Sequence, residues 1–331
     1  MHNAIIVPGQ ASPVVHFTET FDIEHHADSP DGWNLRYDQL TPGRFEGSIS
    51  QLRLEGLHLL RDQANQAMTK QGQAWAGAIT FSLPLRMPDN GFHCLGHSVA
   101  GRNLLVARGD DLPELRAPEN LDLLCIAVDE SLLLHQLQHD CEPNALPPLP
   151  RYYSMVDAES HAELVALCRT LLDDHSLTAQ GLLGHSSIRT SIRDTVISHL
   201  LALIGEREVH TLEPNARKRI VDRARDYALA NRDDPPSIVD LCDKVGASRR
   251  KLQYCFQETL GINPVAYLRA LRLNAAHRAL LQGDGSASVQ VIAASYGFWH
   301  LSRFASDYRQ LFGERPSDTL KRNRYNCAEF G

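Results

Sequence analysis

The spacing of hydrophobic positions changes character along this 331-residue chain. From Gly43 to Asp129, short apolar runs such as Gly47–Leu54, Leu57–Leu60, Ala76–Leu85 and Leu121–Val128 are cut by Gly, Pro, Asp or Asn. That pattern predicts closely spaced short strands in a sandwich or small barrel. Further on, apolar residues recur every three or four positions. Leu164, Leu167, Cys168 and Leu171 mark a helix from Ala158 to about His175, and Ile192, Val196, Leu200 and Ile204 mark another over Ile188–Ile204. Glu130–Cys141 reads as an amphipathic helix, the Pro-rich Glu142–Pro150 as a linker, and residues 1 to about 35 as loop.

From Ser237 to Arg322 the chain nearly repeats itself. Leu252, Phe256, Leu260, Gly261 and Pro264 meet Phe304, Tyr308, Phe312, Gly313 and Pro316 at a constant offset of 52 residues. Each copy has a short helical segment (Ile238–Val245, Val289–Tyr296), a glycine break (Gly246, Gly297) and a longer helix, which together make a helix-turn-helix pattern. Ser248 is placed to cap the first long helix, His300 or Ser302 stands near the start of the second, and Gly261 and Gly313 suit their ends. Between the copies, Asn263 and Pro264 open a further helix running to about Leu281, roughly 27 Å of rod.

The apolar stripes decide which side chains face outward. In the first long helix Arg250, Gln253, Tyr254 and Gln257 point away from the core, beside Arg249; in the second, Ser302, Ala305, Ser306 and Arg309 do, beside His300 and Arg303. Such faces can donate and accept at base edges or phosphates of double-stranded DNA. A solvated face is the commoner reading of one such helix, and duplication of the whole unit favours DNA.

The run Gly297-Phe298-Trp299-His300-Leu301-Ser302-Arg303-Phe304 through Phe312-Gly313-Glu314-Arg315-Pro316-Ser317 resembles the second-unit motif of the AraC/XylS family of bacterial transcription regulators. The resemblance covers about 105 residues, from about Ala216 to Lys321. It implies base contacts from Arg250, Gln253 and Tyr254 in the first unit and from Ser302 and Ser306 in the second. Ser302, Ala305 and Ser306 are short where family members often place long or charged side chains, which implies that the second unit anchors to the backbone. The resemblance also implies a cupin-like sensor domain, dimerisation through paired helices beside it, an activator role and RNA polymerase as a partner. The stretch Asp38–Gly47, with Leu241-Cys242, Ser248-Arg249-Arg250 and Arg272–Ala275, looks like activators of amine-utilisation operons of the ethanolamine and quinohaemoprotein amine dehydrogenase types. That likeness implies a small-molecule effector such as an amine. Trp33, Glu46, Glu55, Asp62 and Trp75 are the candidate residues to bind it.

Charge divides the chain in the same place. Residues 1–214 carry 14 Lys and Arg against 28 Asp and Glu, net −14, and residues 215–331 carry 19 against 12, net +7. The basic end is the one with the helix pairs, as binding to a polyanion requires. The fold expected is α+β: an N-terminal cupin-like β-barrel with flanking helices over 1–205, a polar hinge over 206–214, and an all-α domain over 215–331 with two helix-turn-helix motifs joined by a linker helix. Opposite charges and a short polar hinge predict that the first half either holds the DNA face of the second by weak, screened attraction or sets the two modules of a dimer at a spacing the operator does not match.

The seven cysteines (Cys94, Cys125, Cys141, Cys168, Cys242, Cys255, Cys327) form no Cys-x-x-Cys pair and read as buried thiols of a reducing compartment. Met1–Gln10 lacks a basic, apolar leader and no run is long enough to span a membrane, so a cytoplasmic protein is expected. His25-His26, His93 with His97, and His135 with His139 each lack the companions of a metal site, so no metal, cofactor or catalytic residue is expected. The alternative is a metal-dependent cupin enzyme fused to a DNA-binding module. A DNA-repair methyl acceptor would need a zinc-activated cysteine cluster, which the spacing does not provide.

Overall fold

The computed structural model describes residues 15–86, 92–99, 103–140, 151–154, 157–173, 181–204, 209–231, 234–282 and 287–329. Two antiparallel sheets form the N-terminal half. The larger runs β1 (Val15–Thr20), β3 (Gly47–Leu54), β4 (Leu57–Ala64), β11 (Leu121–Asp129), β6 (Ala78–Pro84), β9 (Asn103–Arg108), β12 (Arg151–Ser154), β13 (Val209–Thr211). The smaller runs β2 (Asn34–Gln39), β5 (Met68–Gln73), β10 (Leu112–Ala117), β7 (His93–Cys94), β8 (His97–Ser98).

The larger sheet is covered on both faces, which explains near-continuous apolar strands such as Leu121–Val128. One face, with Leu52, Leu59, Phe81 and Ile126, packs on three helices, α2 (Glu130–Asp140), α3 (Ala158–Asp173) and α4 (Ser186–Ile204), through residues such as Leu164, Cys168, Val196 and Leu200. The other, with Ile49, Leu60, Leu105 and Leu123, faces Tyr37, Met68, Leu115 and Ala117 of the smaller sheet. The apolar stripes read on α3 and α4 are therefore spent inside the domain.

Two expectations change. The stretch read as loop contains β1 and a short helix, α1 (Ile23–Asp28), which holds His25 and His26; Asp22 caps it by accepting from the Glu24 N–H at 3.0 Å. The segment read as a hinge contributes β13, hydrogen-bonded to β12 at the edge of the larger sheet. The Pro-rich linker lies outside the described residues.

The C-terminal half is helical: α5 (Ala216–Ala230), α6 (Ile238–Val245), α7 (Arg249–Leu260), α8 (Pro264–Gln282), α9 (Val289–Ser295), α10 (Leu301–Phe312) and α11 (Pro316–Glu329). The repeated positions Leu252, Phe256, Leu260, Phe304, Tyr308 and Phe312 all enter one core around α8. Leu40 of the N-terminal half sits in that same core. Among the described residues no helix is long and apolar enough to cross a membrane.

Candidate nucleic-acid interface

Two helix pairs, α6–α7 and α9–α10, carry the candidate side chains. Ser237 and Asp240 cap α6 reciprocally, the Asp240 carboxylate accepting from the Ser237 N–H at 2.8 Å and the Ser237 hydroxyl from the Asp240 N–H at 3.3 Å. Gly246 ends α6 with φ +65°, a conformation that glycine adopts without strain, and Ser248 caps α7 by accepting from the Lys251 N–H. Ser288 caps α9 in the same way. His300 holds the N-cap position of α10 but makes no capping bond with its side chain.

The inner and outer faces are cleanly sorted. Leu252, Cys255, Phe256 and Leu260 of α7 are buried, while Arg249, Arg250, Gln253, Tyr254 and Gln257 are exposed. On α10, Phe304, Tyr308, Leu311 and Phe312 are buried, and His300, Ser302, Arg303, Ser306 and Arg309 are exposed around its start and outer face. A groove of about 740 Å³ runs between Leu301, Ser306 and Arg309 of α10 and Arg315–Ser317 at the start of α11. Trp299 and Leu301, absent from the candidate set, are exposed at the entry of α10, at 69% and 43%. The apolar periodicity assigned them to neither face because they lie at the turn.

The N-terminal domain holds both pairs from behind. Arg116 on β10 donates to the Leu260 carbonyl at the end of α7, 3.0 Å away. The Gly43 N–H and the Gln39 side chain donate to the Gln310 and Leu311 carbonyls at the end of α10. Donors at helix C-termini satisfy otherwise orphan carbonyls and suit the negative end of the helix dipole. Gly313, at φ +74°, fits here because a Cβ would come within 3.0 Å of the Arg44 backbone.

Between these grips lies a buried polar seam along α8. Asn274 exchanges two hydrogen bonds of 2.9 Å with the backbone of Gln39. Arg278 bonds Glu24 at 2.9 Å, Asp38 at 2.7 Å and the Tyr37 carbonyl. His277 reaches Asp22 through Nε2 at 3.1 Å and the Tyr308 hydroxyl through Nδ1 at 2.5 Å, and stacks on Phe312. Burial raises the Asp22 carboxyl while His277 and Arg322 lower it further, and the balance holds it near 2. A second contact pairs Glu114 with Lys218 and Arg225 of α5. The two halves are thus joined by buried, directional pairs rather than by screened surface attraction. Asp38, Gln39 and Gly43 all belong to the Asp38–Gly47 stretch singled out in the sequence.

Among the described residues one group of ligand-type side chains converges, Asp22, His277 and Glu314, and the Arg322 guanidinium bonds both carboxylates and fills the place of a cation. Among the described residues the other histidines form no further group of this kind. His97 meets the Glu213 carbonyl at 2.9 Å, His26 is buried against Asp62, and the side chain of His139 lies outside the described residues. The described cysteines Cys94, Cys125, Cys168, Cys242 and Cys255 are free thiols, and burial raises Cys94 and Cys168 to about 12.

A cavity of about 50 Å³ lies between the two sheets, with Trp33, Leu60, Lys70, Thr80, Leu105 and Cys125 in its lining. Of the five candidate effector residues only Trp33 lines it. Trp33 donates from Nε1 to His58 Nδ1 at 2.9 Å, so the neutral His58, held near 3 by burial, offers its other N–H to Gln51. Asp62 is buried behind the lining, bonded by Lys70, His26 and Tyr37. Trp75 points elsewhere, donating to Asp129 at 2.6 Å. Glu46 and Glu55 do not line the cavity: both are exposed, one ahead of β3 and the other in the β3–β4 turn. Lys70 was not named because a lysine in a short strand reads as solvent-facing until the second sheet covers it.

A family model described as a helix-turn-helix domain matches residues 241–322. The probable thc operon regulatory protein of Rhodococcus erythropolis is 35% identical over 145 residues, 43% of this chain and 44% of that protein. The chain therefore spans less than half the length of that relative. XylDLEGF operon transcriptional activator 2 of Pseudomonas putida is 31% identical over 142 residues, 40% of this chain and 90% of that protein. The crystal structure of a probable AraC family transcriptional regulator from Rhodopseudomonas palustris CGA009 is 38% identical, covering 32% of this chain and 97% of that one, with a TM-score of 0.30.

Proposed function

The chain belongs to the AraC family of DNA-binding transcription regulators, and on that premise we propose that it activates transcription by presenting α7 and α10 to adjacent major-groove segments of an operator. The observation that carries this reading is the sorting of side chains: nine exposed polar and basic residues on two helices, with His300 at the N-cap of the second, and opposite faces that share one core. The linker helix α8, 19 residues and so about 28 Å long, is a rod of the length that spaces two such helices by one turn of DNA. Both units are then helix-turn-helix motifs, and the N-terminal sandwich is a cupin-like sensor. RNA polymerase, a small-molecule effector and a second copy of the chain complete the proposed partners.

Signalling is proposed to work through domain arrangement. The sensor grips the ends of both outward helices, so a molecule that binds the two arrangements of the halves unequally would change how α7 and α10 meet the operator. An amine effector would lack a counter-charge in the cavity, whose lining carries a lysine and no carboxylate. Enzymatic chemistry finds no support in relatives named as regulators.

The test is base readout by Arg250. Arg250→Ala is expected to weaken operator binding by about 1–3 kcal/mol and to relax preference at one position of the site. Affinities for a set of single-base operator variants decide it; an equal loss on every sequence would assign Arg250 to phosphate.

A further inference from the structure

Resting on the regulator reading above, we propose that the cavity between the two sheets is the site of a small organic carboxylate whose anionic end takes the Lys70 ammonium. Lys70 reaches the cavity from β5, is 7% exposed and lies 4.6 Å from the centre of the Tyr37 ring. It is the one charged residue in the lining; the rest is Leu, Ala, Pro, Cys and aromatic surface, with Thr80, Ser82 and Gln71 as neutral polar groups. An ammonium has three N–H donors and no acceptor. One donor meets Asp62, the one ion-pair partner of Lys70 among the described residues, which leaves donors for an acceptor inside the cavity.

Charge selects the ligand class. A second cation beside a buried ammonium is repelled in a medium that screens poorly, whereas a carboxylate gains a charge-assisted hydrogen bond. Asp62 does not depend on Lys70 alone, since His26 bonds it at 2.9 Å and the Tyr37 hydroxyl donates to it at 3.2 Å. Lys70 can therefore share itself with a ligand without leaving Asp62 bare. Size sets the second limit. At about 10–15 Å³ per water-sized position, about 50 Å³ holds some three to five such positions, the room of a carboxylate of about three to five non-hydrogen atoms, such as acetate or propionate.

The same contacts lead to the DNA-binding half. His26, the partner of Asp62, sits on α1, and the cap of that six-residue helix is Asp22, which holds His277 against Tyr308 of α10. On a second route, β2, which follows directly on Trp33, puts Leu35 and Tyr37 at the cavity and Asp38 and Gln39 in the seam with α8. A ligand on Lys70 thus touches both routes to the arrangement of the recognition helices.

The experiment uses the full chain with propionate, propylamine and propionamide as matched probes, followed by calorimetry and thermal unfolding. Propionate is expected to bind and raise the unfolding midpoint, with propylamine giving no shift and propionamide at least about tenfold weaker. Lys70→Met should abolish propionate binding. Ala107→Val, which narrows the opposite wall and leaves Lys70, Asp62 and His26 in place, should weaken it and answers for the case in which the lysine variant does not fold. Equal binding of propylamine or propionamide, no binding of propionate, or propionate binding that survives Lys70→Met or Ala107→Val overturns the proposal. Operator affinity measured without probe on the same samples separates the two readings: loss of sequence-specific DNA binding in the wild type sinks the regulator reading, and intact DNA binding with no propionate response sinks only the cavity.

Discussion

Arg278→Ala is expected to destabilise the full chain by about 3–5 kcal/mol, because it removes the one guanidinium shared by two buried carboxylates. Arg278 lies at the centre of the seam, bonded to Glu24 and Asp38, whose side chains are 9% and 5% exposed. Without it Glu24 stays desolvated with no ion-pair partner among the described residues, Asp38 keeps only the half-exposed Arg36 at 4.0 Å, and the domains should separate before either core melts. Urea unfolding followed separately by N- and C-terminal probes checks this: one transition in the wild type, two in the variant. The deficit should also depend on pH. Burial lifts the Glu24 carboxyl to about 7, and Arg278 is the main force opposing that rise. A carboxyl raised in the folded state contributes stability that is complete below its unfolded value of 4.5 and lost as pH rises through the folded one. The variant should accordingly be closest to wild type near pH 5 and furthest from it at pH 8. A loss under about 1 kcal/mol at pH 8 would mean that the seam is not a structural joint.

Operator affinity is expected to fall by about 10³-fold or more between 50 and 200 mM salt, the response of a protein that makes six or more phosphate contacts. The C-terminal half supplies the charge, 19 Lys and Arg against 12 Asp and Glu, with Arg249, Arg250, Arg303, Arg309 and Arg315 exposed on or beside the outward helices. Residues 215–331 alone should show a similar slope, since the acidic half carries its net −14 elsewhere in the sequence. Absolute affinity of that fragment should be lower. It loses Leu40 from its core and the donors that close the ends of α7 and α10. Fluorescence anisotropy across a salt series reads both numbers, and a flat profile would remove phosphate contacts from the account.

The repeat was legible in the sequence because its signals are local. Gly261 and Gly313 end their helices, and the stripes of Leu252, Phe256 and Leu260 and of Phe304, Tyr308 and Phe312 are buried together. The seam was not legible, because its pairs join residues more than 230 positions apart, Gln39 to Asn274 and Asp38 to Arg278 among them. On a helical wheel Arg278 is an ordinary basic residue, and only docking of the second domain buries it. The short helix α1 was missed for a related reason: six residues with two histidines carry too little periodicity to outweigh the Asp-Ser-Pro-Asp-Gly run that follows. Asp62 was singled out as a free carboxylate for an effector; burial had already committed it to Lys70, His26 and Tyr37.

Methylation interference on the bound operator tests the central claim most directly. If α7 and α10 occupy adjacent major-groove segments, guanine N7 methylation should block binding in two windows about 10 base pairs apart on one face of the duplex for each copy of the chain. The window that answers to α7 should vanish in Arg250→Ala while the other persists. A single window, or interference confined to the minor groove, would contradict the paired-helix account.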